Sequence, residues 1–483
     1  MKKNFFYNAL LTTSNLIFPL ITFPYVNRVL DPEGIGKASF ATSFVQAFMI
    51  ICSLGVPYYG IREIAKTKSD IEKRSLLVLE LTIIKIIVSL FALVIYFALV
   101  FNVPTLKSSL IFFLFGSLSI LIGIFDFNYF FSALENFRYI TVRSVFFQIV
   151  SVVLTFSLIK DQHDVLLFFL IPIIITFFNT IVNIAYLKNF LIFPKISLVG
   201  LRKHVLPLIT MFSIILFSSL YNVLDTTILG FLTDDGTVGY YSTATKLNKI
   251  PIAIIMTLAP VLLPRMAAEV GKRNFQEVSR LANKAIEVIL LIGVPITFGI
   301  LCTSSLLIFI FAGEKFVDAI LTLQLMSPLA LIIGVTTCFS TQILVPFGNE
   351  KLVLRAVLFG MILSLGLNFY LIPYISQNGA AISALCTELL VLVMCYWYSK
   401  KLMKINMPYQ LFLTNVIVCI PFFGISYLVK QNIETDILSF ILIAGSCVLY
   451  YLTIHLFVLK TQIFWTLINA AMAKIKMILK YEN

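Results

Sequence analysis

Two lysines lie on one face of a helix predicted near the middle of the chain. Ser242, Thr245, Lys246 and Lys249 are spaced at i, i+3, i+4 and i+7, which places them in one stripe. Two lysines cost roughly 5–7 kcal/mol together at the centre of a membrane helix. A chain retains such residues where they face water, a counter-charge or a ligand. The stripe therefore predicts a cavity that receives an anionic substrate.

A second stripe with the same spacing, but without charge, occurs nearer the N-terminus and comprises Ser39, Thr42, Ser43 and Gln46. A shift of 203 residues places residues 32–44 on residues 235–247, and Gly36 on Gly239. This internal repeat predicts two copies of one unit in the same orientation. Under that symmetry the neutral and the cationic stripe face each other across one cavity.

Acidic residues within apolar runs are candidates for ion coupling, and they are Asp126, Asp225 and Glu388. Asp225 follows Asn222 by one helical turn, and both are cavity candidates. Asp225 is alternatively a structural partner of Lys246. Glu388 is alternatively a protonated, hydrogen-bonded side chain.

Five arginines lie at or near the ends of predicted spans. Arg28 is either a ligand for the substrate or an anchor at the membrane interface. The other four are interpreted as structural or gating residues: Arg62, Arg143, Arg265 and Arg355. Arg62 and Arg265 coincide under the 203-residue shift, which supports the repeat.

The composition is that of a polytopic helical membrane protein. Hydrophobic residues make up 60% of the 483 residues and charged residues only 12%, which excludes a large soluble protein. Unbroken apolar runs exclude a β-barrel, whose strands alternate. Fourteen spans are predicted, at residues 9–30, 38–59, 76–101, 109–131, 140–159, 165–187, 206–232, 241–264, 284–311, 319–345, 354–375, 378–399, 410–430 and 437–459.

The net charge of +13 reflects the distribution of basic residues among loops, and it does not indicate nucleic acid. With the N-terminus inside, 27 of the 36 Lys and Arg residues fall on cytoplasmic segments and 6 on external ones. This bias predicts that both termini are cytoplasmic. No nucleotide, metal or catalytic motif occurs, so we expect a transporter without cofactor or metal.

The repeat defines the predicted domains. They are an N-lobe of six spans (1–187), an amphipathic cytoplasmic linker (188–205), a parallel C-lobe of six spans (206–399), two additional spans (400–459) and a basic cytoplasmic tail (460–483).

Several motifs resemble one family. PYVNRVL ends the first span, PEGIG follows it, and YGIREIAK ends the second span; LDTTILGFLTDDGTVGYYSTATKL covers spans seven and eight. These stretches resemble the O-antigen and exopolysaccharide flippases of the multidrug/oligosaccharidyl-lipid/polysaccharide exporter superfamily. The resemblance covers about residues 1–400.

The resemblance implies two lobes in a V shape that flip lipid-linked oligosaccharides across the bacterial plasma membrane by alternating access. It implies an undecaprenyl-pyrophosphate carrier, whose anionic diphosphate suits Arg28, Lys246 and Lys249. A polysaccharide polymerase is a further expected partner. The resemblance does not determine the coupling ion.

Two alternatives stay open. A cation-coupled multidrug exporter of the same superfamily would use the acidic residues, although the two lysines oppose a cationic substrate. A membrane polymerase or ligase would carry a large external loop, and no predicted external loop is that long.

Overall fold

The computed structural model describes residues 2–192, 198–257, 259–433 and 435–461, and the regular structure within these ranges is helical, without β-strands. The predicted fold class, an all-α polytopic membrane protein, is confirmed. Residues 193–197 of the predicted linker and 462–483 of the predicted tail lie outside the described ranges.

Among the described residues, the first half contains nine helices: α1 (Lys2–Ser53), α2 (Val56–Lys66), α3 (Ile71–Asn102), α4 (Pro104–Lys107), α5 (Leu110–Ile124), α6 (Asn128–Ala133), α7 (Phe137–Leu158), α8 (Val165–Leu187) and α9 (Leu198–Leu232). Short 3₁₀ segments occupy Gln162–Asp164 and Lys188–Phe190.

The described part of the second half contains nine more helices: α10 (Asp235–Met256), α11 (Ala259–Gly271), α12 (Phe275–Phe311), α13 (Ala319–Met326), α14 (Leu329–Thr337), α15 (Glu350–Leu402), α16 (Tyr409–Cys419), α17 (Pro421–Asn432) and α18 (Asp436–Thr453). A 3₁₀ segment occupies Glu314–Phe316, and π-helical segments occupy Cys338–Leu344 and Ile454–Val458.

Ten helical stretches in the described ranges are long and apolar enough to cross a membrane. Two of them, Phe6–Lys66 and Glu350–Leu402, have 61 and 53 residues. At 1.5 Å per residue such lengths are about 80–90 Å, far beyond a hydrocarbon core of about 30 Å. Each also contains a break in the helical backbone, at Asp31 and at Ile375–Ser376. Each therefore corresponds to two predicted spans. The orientation of the termini stays a prediction.

Local sequence explains several helix ends. Leu54 and Gly55 both adopt positive φ, and Pro57 follows in the first turn of α2, so α1 ends there. At the start of α10, Asp234 accepts hydrogen bonds from the Thr237 backbone N–H at 2.8 Å and from its hydroxyl at 2.9 Å. The backbone hydrogen bond holds the pKa of the Asp234 carboxyl below its usual range.

The helices form two compact units. The first unit comprises Met1–Thr243, Phe311–Phe316 and Met361–Ser383; the second comprises Ala244–Ile310, Val317–Gly360 and Ala384–Asn483. These boundaries differ from the predicted domain boundaries, and the predicted lobes stay a prediction.

In the first unit α1 packs against α3, α5, α7, α8 and α9. Aromatic side chains fill the space beside it: Phe44 packs on Tyr96 and Phe113, and the Tyr96 hydroxyl donates to the Phe113 carbonyl at 2.7 Å. Satisfying this hydroxyl internally removes the cost of burying a polar group in an apolar core.

In the second unit α12 contributes much of the core, with Ile286 and Ile289 buried among residues that include Phe339. The last helices bind to α12 through hydrogen bonds. Ser426 of α17 donates to the Cys302 carbonyl at 3.1 Å, and Tyr451 of α18 donates to the Leu291 carbonyl at 3.0 Å.

The two glycines equated by the internal repeat lie in a single contact within the first unit. A Cβ on Gly36 would be 1.6 Å from the Asp235 carbonyl oxygen, and a Cβ on Gly239 would be 2.0 Å from the Pro32 carbonyl oxygen. The 203-residue shift places Pro32 on Asp235, so the two contacts are equivalent under the repeat. We call this pair of contacts the glycine crossing.

The glycine crossing predicts that Gly36→Ala is severely destabilising. The added methyl group would clash with the backbone of Asp235 and Gly239. We therefore expect a loss of about 3 kcal/mol in the free energy of unfolding, measured as a lower melting temperature of the purified protein. Gly299→Ala is the matched control, because no atom lies within 4 Å of its Cβ position in α12. Similar melting of both variants and wild type would contradict the close approach.

Candidate functional site

Asp225 of α9 is buried, with 6% of its surface exposed, and three groups of the first unit donate to its carboxylate. The Asn368 amide donates at 2.6 Å, and the hydroxyls of Ser364 and Tyr241 each donate at 3.2 Å. Ser383 in turn donates to the Ser364 carbonyl at 3.1 Å. Three donors favour the ionised carboxylate at a position where burial disfavours it.

Sequence reasoning identified Asp225 but missed Ser364 and Asn368. The sequence contained a signal for this pair. The two polar residues are four apart in the apolar part of α15 that precedes its break at Ile375–Ser376, and they therefore share one helix face. Asn222, the cavity candidate one helical turn before Asp225, lies among residues whose side chains are outside the described part of the structure.

The neutral stripe belongs to the first unit. Thr42 and Gln46 are exposed, one turn apart, and Ser39 is half-buried. The Thr42 hydroxyl donates to the Ala38 carbonyl of its own helix at 2.7 Å. This bond satisfies the hydroxyl proton and leaves its lone pairs for other donors.

The cationic stripe lies along α10. Ser242, in the first unit, is buried and donates to the Gly239 carbonyl at 3.1 Å. In the second unit Thr245 lies 3.8 Å from the Met326 sulfur, Lys246 is half-buried and Lys249 is exposed. Exposure therefore increases along the stripe towards the second lysine.

The remaining predicted site residues have the following surroundings. Arg28 is exposed, and its side chain lies beside Gly313; a few residues further on, Asp31 forms an ion pair with Lys315 at 2.7 Å. Glu388 is half-buried on the second arm of α15. Asp126 is exposed and accepts the Asn128 backbone N–H at 3.0 Å, just before α6.

The predicted structural arginines divide into two kinds. Arg62 and Arg265, equivalent under the repeat, both form ion pairs, with Glu63 at 2.8 Å and with Glu277 at 3.2 Å. Arg143 is buried at 6% exposed, whereas Arg355 is exposed. The matching positions of the last two at the starts of α7 and α15 therefore do not imply matching environments.

A buried polar chain in the first unit was not predicted. Glu80 lies near the end of a predicted span, yet it is buried, with 1% of its surface exposed. Its carboxylate contacts His204 Nε2 at 2.8 Å and Lys203 Nζ at 3.2 Å, and His204 Nδ1 contacts the Tyr59 hydroxyl at 2.7 Å. The chain joins α2, α3 and α9, and its partners are too distant in sequence to be paired by spacing.

The fold and these sites define a class of protein: a polytopic helical membrane protein with ionisable side chains on its membrane helices, as transporters have. A model of the family described as "Polysaccharide biosynthesis protein" matches residues 1–269, and a "MatE" model matches residues 209–370. The chain belongs to the polysaccharide biosynthesis protein family, within the multidrug/oligosaccharidyl-lipid/polysaccharide exporter superfamily.

Individual proteins agree with this assignment. A protein of Escherichia coli K12 assigned as an O-antigen transporter is 24% identical over 394 residues, which are 81% of this chain and 94% of that protein. A Rickettsia prowazekii protein assigned as the lipid II flippase MurJ is 26% identical over 38% of each chain. These relatives bear transporter and flippase names, in line with the expectation that the chain is not an enzyme.

The fold also matches solved structures. The lipid II flippase MurJ in its inward closed conformation has a TM-score of 0.77, with 15% identity over 96% of this chain and all of that chain. An inward-facing multidrug resistance MATE family transporter has a TM-score of 0.62, with 14% identity over 80% of this chain and 94% of that one.

The buried contacts among Glu80, His204 and Tyr59 predict that His204→Ala destabilises the protein, because Glu80 loses its closest partner while remaining buried. Breaking such a contact costs about 3 kcal/mol. Combining His204→Ala with Glu80→Leu should cost less than the sum of the single changes, since both remove one interaction.

Thermal melting of the purified variants measures this coupling. His163→Ala is the matched control, because His163 is exposed near the start of α8. Additive effects in the double variant would contradict an energetic link between His204 and Glu80.

Proposed function

We propose that the protein flips oligosaccharide repeat units linked to undecaprenyl pyrophosphate across the bacterial plasma membrane. Alternating access through a polar, partly cationic central cavity moves the sugar, and the polysaccharide polymerase machinery acts on the flipped unit. Family membership supports the class of substrate. The observation that carries the proposal is the pair of lysines on α10, half-buried Lys246 and exposed Lys249, in an apolar segment.

The chemistry of the carrier explains why lysines serve this role. A diphosphate carries negative charge that must leave water as the substrate moves, and ammonium groups on the path offset that cost. Two compact point charges on flexible stems follow a moving anion without fixing its orientation. Arg28 supplies a third cation under the same proposal, and Ser39, Thr42 and Gln46 offer hydrogen bonds to the sugar hydroxyls.

Replacing the two lysines by methionine tests the role of charge. We expect Lys246→Met with Lys249→Met to reduce flipping of a fluorescent diphosphate-linked oligosaccharide in proteoliposomes at least about tenfold, because the loss of two charge-assisted contacts exceeds 1.4 kcal/mol. The matching arginine pair should retain most activity.

Lys107→Met with Lys272→Met is the control, because both side chains are exposed outside the long apolar helices. Wild-type flipping by the Lys246/Lys249 methionine pair would exclude an anion-binding role for the stripe.

A second candidate is a cation-coupled multidrug exporter, and the observation that favours it is the MatE match over residues 209–370, which include Asp225, Ser364 and Asn368. Extrusion of a cationic dye by the purified protein, unaffected by the lysine replacements, would support this candidate over the flippase.

We also propose that Asp225 couples transport to a proton or a monovalent cation. Its carboxylate is buried among the oxygens of Tyr241 and Ser364, a setting in which a small cation would replace lost solvent. The candidates Asp126 and Glu388 are less enclosed, since one is exposed and the other half-buried.

Asp225→Asn keeps the shape of the side chain and removes its charge. We expect flipping by this variant to become independent of imposed sodium and pH gradients, whereas Asp126→Asn retains the dependence of wild type. Measuring flipping rates under each gradient separately identifies the ion. Gradient-dependent flipping by Asp225→Asn would exclude Asp225 as the coupling group.

A further inference from the structure

A polar cavity lies inside the first unit, away from the residues proposed above for transport except Asp126. Its volume is about 190 Å³, equivalent to roughly six water molecules. It lies among α1, α3, α5, α7 and α8, and its polar lining includes Lys85, Asp126, Asn128, Arg143, Asn179 and Asn183. Such a concentration of polar groups is unusual within a bundle of apolar helices.

Two of these side chains are buried cations. Lys85 is 5% exposed, and its ammonium donates to the Gly123 carbonyl at 2.7 Å. Arg143 is 6% exposed, and its guanidinium donates to the Asn128 amide oxygen and to the Tyr139 hydroxyl at 3.3 Å. Every partner of these two cations in the described structure is neutral. Hydrogen bonds to neutral groups offset only part of the cost of burying a charge.

The nearby acids offset only part of this charge. Glu80 precedes Lys85 on α3, but its carboxylate contacts Lys203 and His204. Asp126 lines the cavity, is exposed, and accepts the backbone N–H of Asn128. Two cations and one carboxylate give the cavity a net charge of about +1 with its acids ionised.

Three further polar atoms, on residues that line the cavity, are buried and lack hydrogen-bond partners among the described residues. They are the Nε atom of Arg143 and the amide oxygens of Asn179 and Asn183, and Asn183 is only 2% exposed. Arg143 Nε is a donor, and an asparagine amide offers donors as well as an acceptor. An unpartnered buried donor on a charged group, beside a second buried cation, is the arrangement that an oxyanion satisfies.

We propose that this cavity binds a singly charged oxyanion of the phosphate or phosphodiester class. One negative charge brings the cavity to neutrality, and the tetrahedral oxygens reach Lys85 and Arg143 from between them. This binding site is independent of the transport substrate proposed above.

The surroundings of Arg143 favour a lipid as the source of the phosphodiester. Arg143 also borders a groove of about 670 Å³ between α7 and α8, where Val142, Phe146 and Val182 are exposed. Apolar side chains exposed on membrane helices face acyl chains, and basic pockets between such helices bind anionic head groups. A phospholipid with its chain in the groove would place its head group beside Arg143.

The test uses the purified full chain with two probes. Delipidated protein in detergent is titrated with inorganic phosphate at constant ionic strength, with chloride as the reference salt. In parallel, the protein is placed in nanodiscs of phosphatidylcholine with increasing phosphatidylglycerol, and native mass spectrometry counts the retained lipids. Melting temperature is followed in both series.

The key variant is Lys85→Met, which keeps an unbranched side chain one heavy atom shorter and removes the charge; Lys107→Met, at an exposed position in α4, is the control. We expect wild type and Lys107→Met to be stabilised by at least one probe, and Lys85→Met to bind that probe at least about tenfold more weakly. In anion-free buffer Lys85→Met should melt no lower than wild type, because it lacks the uncompensated charge. A merely structural lysine would lower the melting temperature with or without anion.

Arg143→Lys provides an independent variant that keeps the charge and loses the guanidinium fork, and it too should weaken binding. Stabilisation by phosphatidylglycerol supports the proposal and assigns a lipid head group, and stabilisation by phosphate alone supports it and assigns a soluble ion. A wild-type protein that responds to neither probe, or a Lys85→Met variant that responds as wild type does, would overturn it.

Discussion

The glycine crossing constrains the first unit more tightly than any side-chain contact. Backbone meets backbone at Gly36 and Gly239, so neither position has room for a methyl group. The crossing holds the part of α1 that follows its break at Asp31 against the first turns of α10. Tyr241 follows within one turn of Gly239. Tyr241 is one of the three donors to Asp225. The geometry around the buried carboxylate thus depends on the two glycines, although neither of them contacts it.

The buried charges of the first unit form two contrasting groups. Glu80 and Asp225 each have several donors, so their burial is compensated within the protein. Lys85 and Arg143 donate hydrogen bonds only to neutral groups, and among the described residues the cavity beside them is lined by a single carboxylate, that of Asp126. Within one unit the acids are satisfied internally, whereas the buried bases require something from outside. The lysines of α10 differ again, since Lys249 is exposed and Lys246 is half-buried.

The sequence predicts the class of fold well, because the length and polarity of apolar runs are set by the bilayer. It also predicts the equivalence of Gly36 and Gly239, but a repeat does not reveal that equivalent residues touch. The breaks at Asp31 and Ser376 lie between predicted spans, and Pro32 follows Asp31, but the positive φ of these two non-glycine residues is not signalled by their residue type. Partners separated by more than a hundred residues, such as Glu80 with His204 and Asp225 with Asn368, depend on packing and are invisible to spacing. Arg143 and Arg355 match by position only, because burial is set by neighbouring helices.

The glycine crossing also has the form of a contact between two identical subunits. Pro32 contacts Gly239 and Gly36 contacts Asp235, so each copy of the repeat offers the other the same pair of positions. Self-complementary contacts of this kind are the mark of a twofold symmetric dimer. Fusion of two genes for an ancestral homodimer would leave this arrangement in a single polypeptide. In such an ancestor one glycine codon would have served both sides of the contact, whereas the single polypeptide needs a glycine codon at each of the two positions.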